Sequence, residues 1–243
     1  MNIIKLDAID STNDFLKKLS SNVSTPNFTI VTAEMQTSGK GQQGSKWYSE
    51  TGKNLIVSVL VKDILTNINK IFDLNLAVTI SIHTVLSKLN VPNLSVKWPN
   101  DILSGDKKIA GILIENIIKC DQSVVSIVGF GLNVNQTNFD NLPKASSLKN
   151  IFNLEFDKEF ILNEILKQFK NNINLLKENK QNLLWDQYQQ LIFKKGVLMP
   201  FENNNNQKFM GIIQEITSIG KLKLLLENDV IKEFGIKELA MIY

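Results

Sequence analysis

Three apolar runs limit the fold more than any other feature of this chain: NLIVSVLV (54–61), KKIAGILIE (107–115) and SVVSIVGFGLNVN (123–135). All are rich in β-branched residues, and none alternates cleanly between polar and apolar positions. Strands with that pattern are buried on both faces, so their sheet must be covered by other elements. Ile71, Leu74, Val78, Ile82, Val85 and Leu89 recur at helical spacing and supply one such cover.

The remaining segments extend this scheme. Residues 3–6 and FTIVTA (28–33) read as further strands, and Ser11 or Thr12 is placed to cap a helix carrying Phe15, Leu16 and Leu19 on one face. LSVKW leads into a turn around Pro99, a short strand at Ile102 and Leu103, and a turn at Ser104–Asp106. A hairpin turn is expected near Lys119–Asp121. After Pro143 the period becomes helical, through Phe160, Ile161, Ile165, Leu166, Phe169, Ile173 and Leu176, then Leu184, Tyr188 and Leu191. Beyond Lys195, GVLMPF, KFMGIIQEI, KLKLLLE and VIKEF are short strands separated by polar or glycine-bearing turns, the pattern of a small β-barrel. The expected fold is α+β, with a mixed central sheet flanked by helices over residues 1–194 and a small β-barrel over residues 195–243.

Composition removes several function classes. No apolar run reaches the roughly 20 residues of a membrane helix, and the N-terminus has no signal-peptide pattern, so a cytoplasmic protein is expected. One cysteine and one histidine exclude an intrachain disulfide and argue against a zinc cluster. The net charge of +3 is a weak footprint for a nucleic-acid binder. All 27 basic residues are lysines, so any phosphate would be held by point charges and backbone N–H groups rather than by guanidinium forks.

The loop TSGKGQQGSKW (37–47) carries three glycines with Lys40 and Lys46, and could bring backbone amides close to an anion. It is not a P-loop, because Gly39 and Gly44 are followed by Ser45 and a strand rather than by Lys-Ser/Thr and a helix. A plain surface loop is the alternative. In KWPNDILSGDKKIAGILIE, Pro99 forces extended or turn geometry where a strand ends, presenting Asn100 and Asp101 at the edge. Simple alternation groups Lys108 with Ala110, Ile112 and Ile114, and Lys107 with Ile109, Gly111 and Leu113. Both sides look buried, so at least one ammonium needs an anionic partner, unless both lie in solvent on a salt-bridged hairpin. GFGLNVNQ (129–136) fits a ligand contact or a β-bulge equally well. His83 reads as structural, and Cys120 as a turn residue with no histidine nearby in sequence.

Taken in order, DSTN (10–13), AEMQTSGKGQQGSKW (33–47), KWPNDILSGDKKIAGILIE (97–115), GFGLNVN (129–135) and ASSL (145–148) resemble the biotin protein ligase family. The resemblance implies ATP-dependent activation of biotin as biotinyl-5′-AMP, with Mg²⁺, and transfer to a lysine of a biotin carboxyl carrier domain. It implies a catalytic domain followed by an SH3-like barrel. Matched motif by motif, it assigns Ser11, Thr12, Asn13, Gln36, Gly39, Lys40, Gly41, Gln42, Lys108 and Gly111 to biotin, and Lys40, Trp47, Lys97, Asn100, Asn133 and Ser146 to the nucleotide. Lys108, Asp101 and Lys97 would be catalytic. Lys108 would pair with the biotin carboxylate and the α-phosphate, and Asp101 would orient or deprotonate the incoming lysine.

Two departures from the family pattern stand out. The family loop reads G-R-G-R-x-G-R, whereas Lys40, Gln42 and Ser45 replace its arginines here, which predicts a looser hold on the adenylate. The motifs begin at residue 10, implying a ligase without an N-terminal DNA-binding domain and no DNA partner. A lipoate or octanoyl ligase of the same fold, and a non-catalytic biotin or adenylate sensor, are the alternatives. An edge strand among residues 107–134 is a candidate for pairing between subunits of a homodimer.

Overall fold

The computed structural model describes residues 2–22, 24–64, 70–118 and 123–243, apart from the side chains of residues 43 and 228. The turn expected near Lys119–Asp121, with Cys120, lies outside the described residues. The first part of the chain runs β1 (Asn2–Ile9), α1 (Thr12–Ser20), β2 (Thr29–Gln36), β3 (Leu55–Lys62), α2 (Ile71–Lys88), β4 (Leu94–Lys97), β5 (Asp101–Ser104), β6 (Lys107–Ile118) and β7 (Val124–Leu132). Three helices follow, α3 (Leu148–Phe152), α4 (Lys158–Lys177) and α5 (Gln181–Leu191). Then come β8 (Leu198–Asn203), β9 (Lys208–Ile216), β10 (Leu222–Leu225), β11 (Ile231–Phe234) and β12 (Leu239–Met241).

Seven strands form a sheet in the order β1-β2-β3-β7-β6-β5-β4. Only β1 and β2 are parallel; every other neighbouring pair is antiparallel, so the sheet is mixed. Its two faces differ. Val57, Val59, Val128, Phe130, Ala110 and Ile112 face the main core with the buried residues of α2 and α4. Leu60, Val125 and Ile127 face the other way and pack with Val31 and with Leu16 of α1, forming a smaller cluster. Each strand thus puts apolar groups on both faces, as an unalternating pattern requires.

Helix α2 is buried almost all round rather than along one stripe. Within it His83 is 9% exposed, and burial pushes its imidazole below the ordinary value. It is a structural residue, as its helical setting suggested.

The second sheet is antiparallel, in the order β11-β10-β9-β8-β12. It corrects the expected closed barrel. Its edge strands, β11 and β12, share no ladder among the described residues, and a sheet closes into a barrel only when its two edges pair. It is tied to the first sheet where the Trp98 indole N–H donates to the Gly220 carbonyl at 2.9 Å. Gly220 has φ +82°, and a Cβ there would stand 2.3 Å from Phe72 Cδ2, so glycine is required on both counts. No helix among the described residues is long and apolar enough to cross a membrane.

Strand β7 has neighbours on both sides throughout, and is no edge. Strand β6 pairs with β5 only from Lys107 to Gly111, so its later half keeps one side without a ladder partner among the described residues.

Candidate active site

The site lies on the face of β3, β6 and β7 that also carries α1, and glycines form its floor. Gly111 is opposite Gly131 and Leu113 is opposite Gly129, while Ser58 of β3 flanks Gly129 and Ile56 flanks Gly131. A Cβ at Gly129 would stand 2.3 Å from Asn13 Oδ1, one at Gly131 2.4 Å from Trp47 Cε2, and one at Gly111 3.0 Å from Lys108 Cε. These positions need glycine for close approach, not for a left-handed backbone. The ladders along β7 run unbroken on both sides, which rules out the bulge reading of G-F-G.

The start of α1 closes one side. Ser11 is the N-cap, its hydroxyl accepting from the Asp14 N–H at 3.3 Å. Ser11, Thr12 and Asn13 are 2%, 3% and 4% exposed. Burial at that level obliges each polar atom to find a partner. The Thr12 N–H donates to Gln36 Oε1 at 2.8 Å, and Asn13 Nδ2 donates to Glu115 Oε2 at 2.9 Å. Ser58, fully buried, lies 2.8 Å from Thr12 Oγ1 and donates to Asn13 Oδ1 at 2.6 Å.

The glycine-bearing loop forms the lid. It is a narrow hairpin, held by Trp47 N–H to Gly39 O (2.9 Å) and Gly41 N–H to Ser45 O (2.7 Å). Lys40 reaches α1 and pairs with Asp14 at 2.7 Å, and this bond raises its pKa above the ordinary lysine value. The Trp47 indole lies over Gly111 and Gly131, and its buried N–H has no hydrogen-bond partner among the described residues. Ser11, Thr12, Asn13, Gln36, Lys40, Gly41, Gln42, Trp47, Asn100, Lys108 and Gly111 all line this one pocket. Gly39 backs it, its carbonyl holding the Trp47 strand.

Lys108 arrives by a route that alternation misses. Asp101 is opposite Gly111 and Ile102 opposite Ala110, but Leu103 is opposite Lys108, so Ile109 is an extra residue on β6. This bulge reverses the alternation. Ile109, Ala110 and Ile112 all enter the main core, and Lys108 turns to the Gly111 side instead of sharing the side of Ala110 and Ile112. Its ammonium pairs with Asp101 at 2.7 Å and lies 5.6 Å from the Trp47 ring centre. The Lys108 side chain is 33% exposed, half-buried rather than enclosed, so its pairing with Asp101 is less costly than a fully buried pair would be. Lys107 instead donates to the Pro143 carbonyl at 2.7 Å.

The KWPND turn contains a cis Trp98–Pro99 bond. Its Asn100 is not an open edge group: the residue is 8% exposed and its side-chain amide donates to Ile112 O at 2.7 Å, anchoring the turn to β6. Segment 144–146 crosses beside Lys108, with Lys108 N–H to Lys144 O at 2.7 Å and Ser146 N–H to Lys108 O at 3.0 Å. Asn133 Nδ2 donates to Ser146 O at 2.9 Å, leaving a buried Asn133 Oδ1 unpartnered among the described residues. A second cavity, about 220 Å³, opens on the far side of Lys108 and Asp101; Lys97, Asn100, Gln42 and Met241 also line it. Lys97 and Lys144 stand 4.8 and 4.1 Å from the ring centre of Tyr243.

Sequence reasoning missed Ser58, Glu115, Asp14 and Tyr243. A lone serine inside NLIVSVLV was the available signal for Ser58. The others had none, because their partners are remote in sequence.

The biotin/lipoate A/B protein ligase family model matches residues 6–135. The chain is 30% identical over 173 residues to the bifunctional ligase/repressor BirA of Bacillus spizizenii, covering 69% of this chain and 52% of that protein. It is 29% identical over 218 residues to the biotin–[acetyl-CoA-carboxylase] ligase of Mycobacterium tuberculosis, covering 88% and 79%. The chain spans about half or less of the first curated relatives it matches. The structure of the Aquifex aeolicus biotin protein ligase in complex with biotin and ATP superposes with a TM-score of 0.82 at 26% identity, over 99% of this chain and 98% of that one. The matched segment includes the α1 cap, the lid, the Lys108–Asp101 pair and the glycine floor, and the chain belongs to the biotin/lipoate A/B protein ligase family.

Proposed function

We propose that this protein activates biotin with ATP and transfers it to a lysine of a carrier domain. The observation that carries the reading is the Lys108–Asp101 pair at 2.7 Å, standing between the glycine-floored pocket and the second cavity. Biotin's ring system would lie on Gly129 and Gly131 against Ser11, Thr12, Asn13 and Gln36, with its carboxylate toward Lys108. ATP would lie along Trp47, Asn133 and Ser146, with Lys97 and Lys40 near its phosphates.

In the first step a biotin carboxylate oxygen attacks the α-phosphorus, the bond to the bridging oxygen breaks, and pyrophosphate leaves. Lys108 opposes the repulsion between the two anions and the charge that develops at phosphorus. In the second step the carrier lysine's neutral amine attacks the acyl carbon and AMP leaves. A free amine of pKa about 10.4 is protonated at neutral pH, so Asp101 would take or orient its proton once Lys108 is engaged by the anions. Mg²⁺ would arrive with ATP as part of the substrate; the described residues contain no cluster of three or more His, Cys, Asp or Glu side chains.

Use of ATP and a carboxylase carrier domain fits a cytoplasmic enzyme, with residues 1–194 as the catalytic unit and 195–243 as an accessory unit. Neither DNA nor a membrane is a proposed partner. A homodimer would form through the open side of β6 beyond Gly111. Incubation with ATP, biotin and a carrier domain, followed by streptavidin detection, tests the reading. A labelled carrier supports it, and biotin binding without labelling overturns it in favour of a sensor. Exchange of pyrophosphate into ATP that needs lipoate rather than biotin overturns it in favour of the lipoate branch.

A further inference from the structure

Tyr243 follows closely on β12 of the second sheet, yet its ring packs beside the first. Its centre is 5.2 Å from that of Phe193, with the planes at 64° in a T-shaped contact. Phe193 is buried, and its N–H donates to Val96 O at 2.8 Å, so this neighbour seats the ring beside β4. Lys144 fastens it further. The Lys144 ammonium stands 4.1 Å from the ring centre and donates to the Tyr243 main-chain carbonyl. Lys144 is itself tied to the site, because its carbonyl accepts from the Lys108 N–H at 2.7 Å.

What the held ring meets is Lys97. That ammonium is 4.8 Å from the ring centre, inside the roughly 6 Å reach of a cation–π contact. Lys97 is opposite Asp101 in the β4–β5 ladder, but the Asp101 carboxylate pairs with Lys108 at 2.7 Å. Among the described residues no carboxylate forms a salt bridge with Lys97, and the Tyr243 ring is the partner its ammonium has. Lys97 and Lys108 line the same second cavity.

A ring and a carboxylate act differently on a lysine. A carboxylate would neutralise the ammonium and compete with a phosphate for it, whereas the π face attracts the cation and leaves its charge unpaired. The lysine N–H donors stay free for an anion. A loose lysine stem also surrenders rotamer freedom when a ligand fixes it, and a stem already held loses less. Holding Lys97 in advance therefore strengthens its hold on an anion without adding a contact to that anion.

We propose that Tyr243 is a positioning residue for the leaving group, acting through Lys97: it holds that ammonium, still charged, toward the pyrophosphate end of ATP. This rests on the reading above, in which the bond from the α-phosphorus to the bridging oxygen breaks and its electron pair stays with the pyrophosphate. Negative charge grows on that oxygen as the bond breaks, and a cation already in place stabilises it without reorganising. The second sheet thereby contributes to the chemistry of the first.

The test is biotin-dependent exchange of labelled pyrophosphate into ATP, read as separate KM values for pyrophosphate and for biotin. Tyr243→Leu should raise the pyrophosphate KM by about threefold to fivefold, the size of one exposed cation–π contact, and leave the biotin KM within about twofold. Tyr243→Phe keeps the π face and should rescue the pyrophosphate KM to within about twofold of the parent. A pentafluorinated phenylalanine at position 243 keeps the shape of the ring but loses its negative face, and should match Tyr243→Leu. It also decides the matter should Tyr243→Leu not fold. In a Lys97→Gln background, which has no cation to hold, Tyr243→Leu should change the pyrophosphate KM by less than about twofold. The proposal is overturned if the leucine and phenylalanine variants behave alike, if the fluorinated ring behaves like Tyr243→Phe, or if the leucine effect persists without the Lys97 charge. A merely structural role for Tyr243 would raise both KM values together, which also overturns it. A parent protein with no biotin-dependent exchange overturns the functional reading itself, a result distinct from all of these.

Discussion

Lys108 Nζ and Asp101 Oδ1 are 2.7 Å apart, joined across two strands whose register slips by one residue between them. The slip sets the chemistry. Without Ile109 as the extra residue, Lys108 would point into the apolar core against α2, where no anion reaches it. If Lys108 supplies the charge that offsets two meeting anions, Lys108→Ala should slow biotin-dependent exchange of labelled pyrophosphate into ATP by about 10²–10³-fold, the usual cost of removing one such electrostatic group. An exchange rate within a few-fold of the parent would remove the proposed mechanism.

The glycine floor makes a different prediction. Gly131→Ala places a methyl group 2.4 Å from the Trp47 ring position. Trp47 lies in a loop outside both sheets, so the fold should survive with a melting temperature within a few degrees of the parent. The floor cannot shift, because Gly131 is paired with both Ile56 and Gly111. The KM for biotin should therefore rise about tenfold or more, corresponding to roughly 1.4 kcal/mol of lost binding. An unchanged biotin KM would show that no ligand lies on this strand.

The lid is pinned by an ion pair, Lys40 to Asp14 at 2.7 Å, where the family pattern carries arginines. A lysine gives one point charge and no planar fork. Gln42→Arg should slow release of preformed biotinyl-adenylate by about threefold to tenfold, measured by trapping the released adenylate after dilution. A release rate that the substitution leaves unchanged rejects the link between the missing arginines and a looser lid.

His83 sets a pH dependence of stability. Burial lowers its pKa in the fold below the ordinary value near 6.5 that it has when unfolded. Below that value the unfolded chain binds a proton that the folded chain resists. Stability from this group is complete above pH 6.5 and declines as pH falls, by at most about 1.4 kcal/mol per pH unit. The urea midpoint should drop between pH 7 and pH 5.5, and His83→Asn should flatten that dependence. A variant as pH-sensitive as the parent would assign the effect elsewhere.

Periodicity, turn residues and motif order by themselves determined most of the elements: the apolar runs became β3, β6 and β7, the Ser11 cap opened α1, and the site residues were named from local motifs. These are properties of neighbouring residues, so a linear reading reaches them. Tertiary structure decided what depends on remote pairing. The second sheet stays open because β11 and β12 do not pair with each other among the described residues, a fact of which strands meet rather than of strand pattern. Lys108 faces the pocket because β5 and β6 pair with a one-residue slip, and a bulge depends on both strands at once. Ser58 and Glu115 join Asn13 across 45 and 102 residues of chain, so the hydrogen bonds beneath the pocket exist only once the fold brings them together.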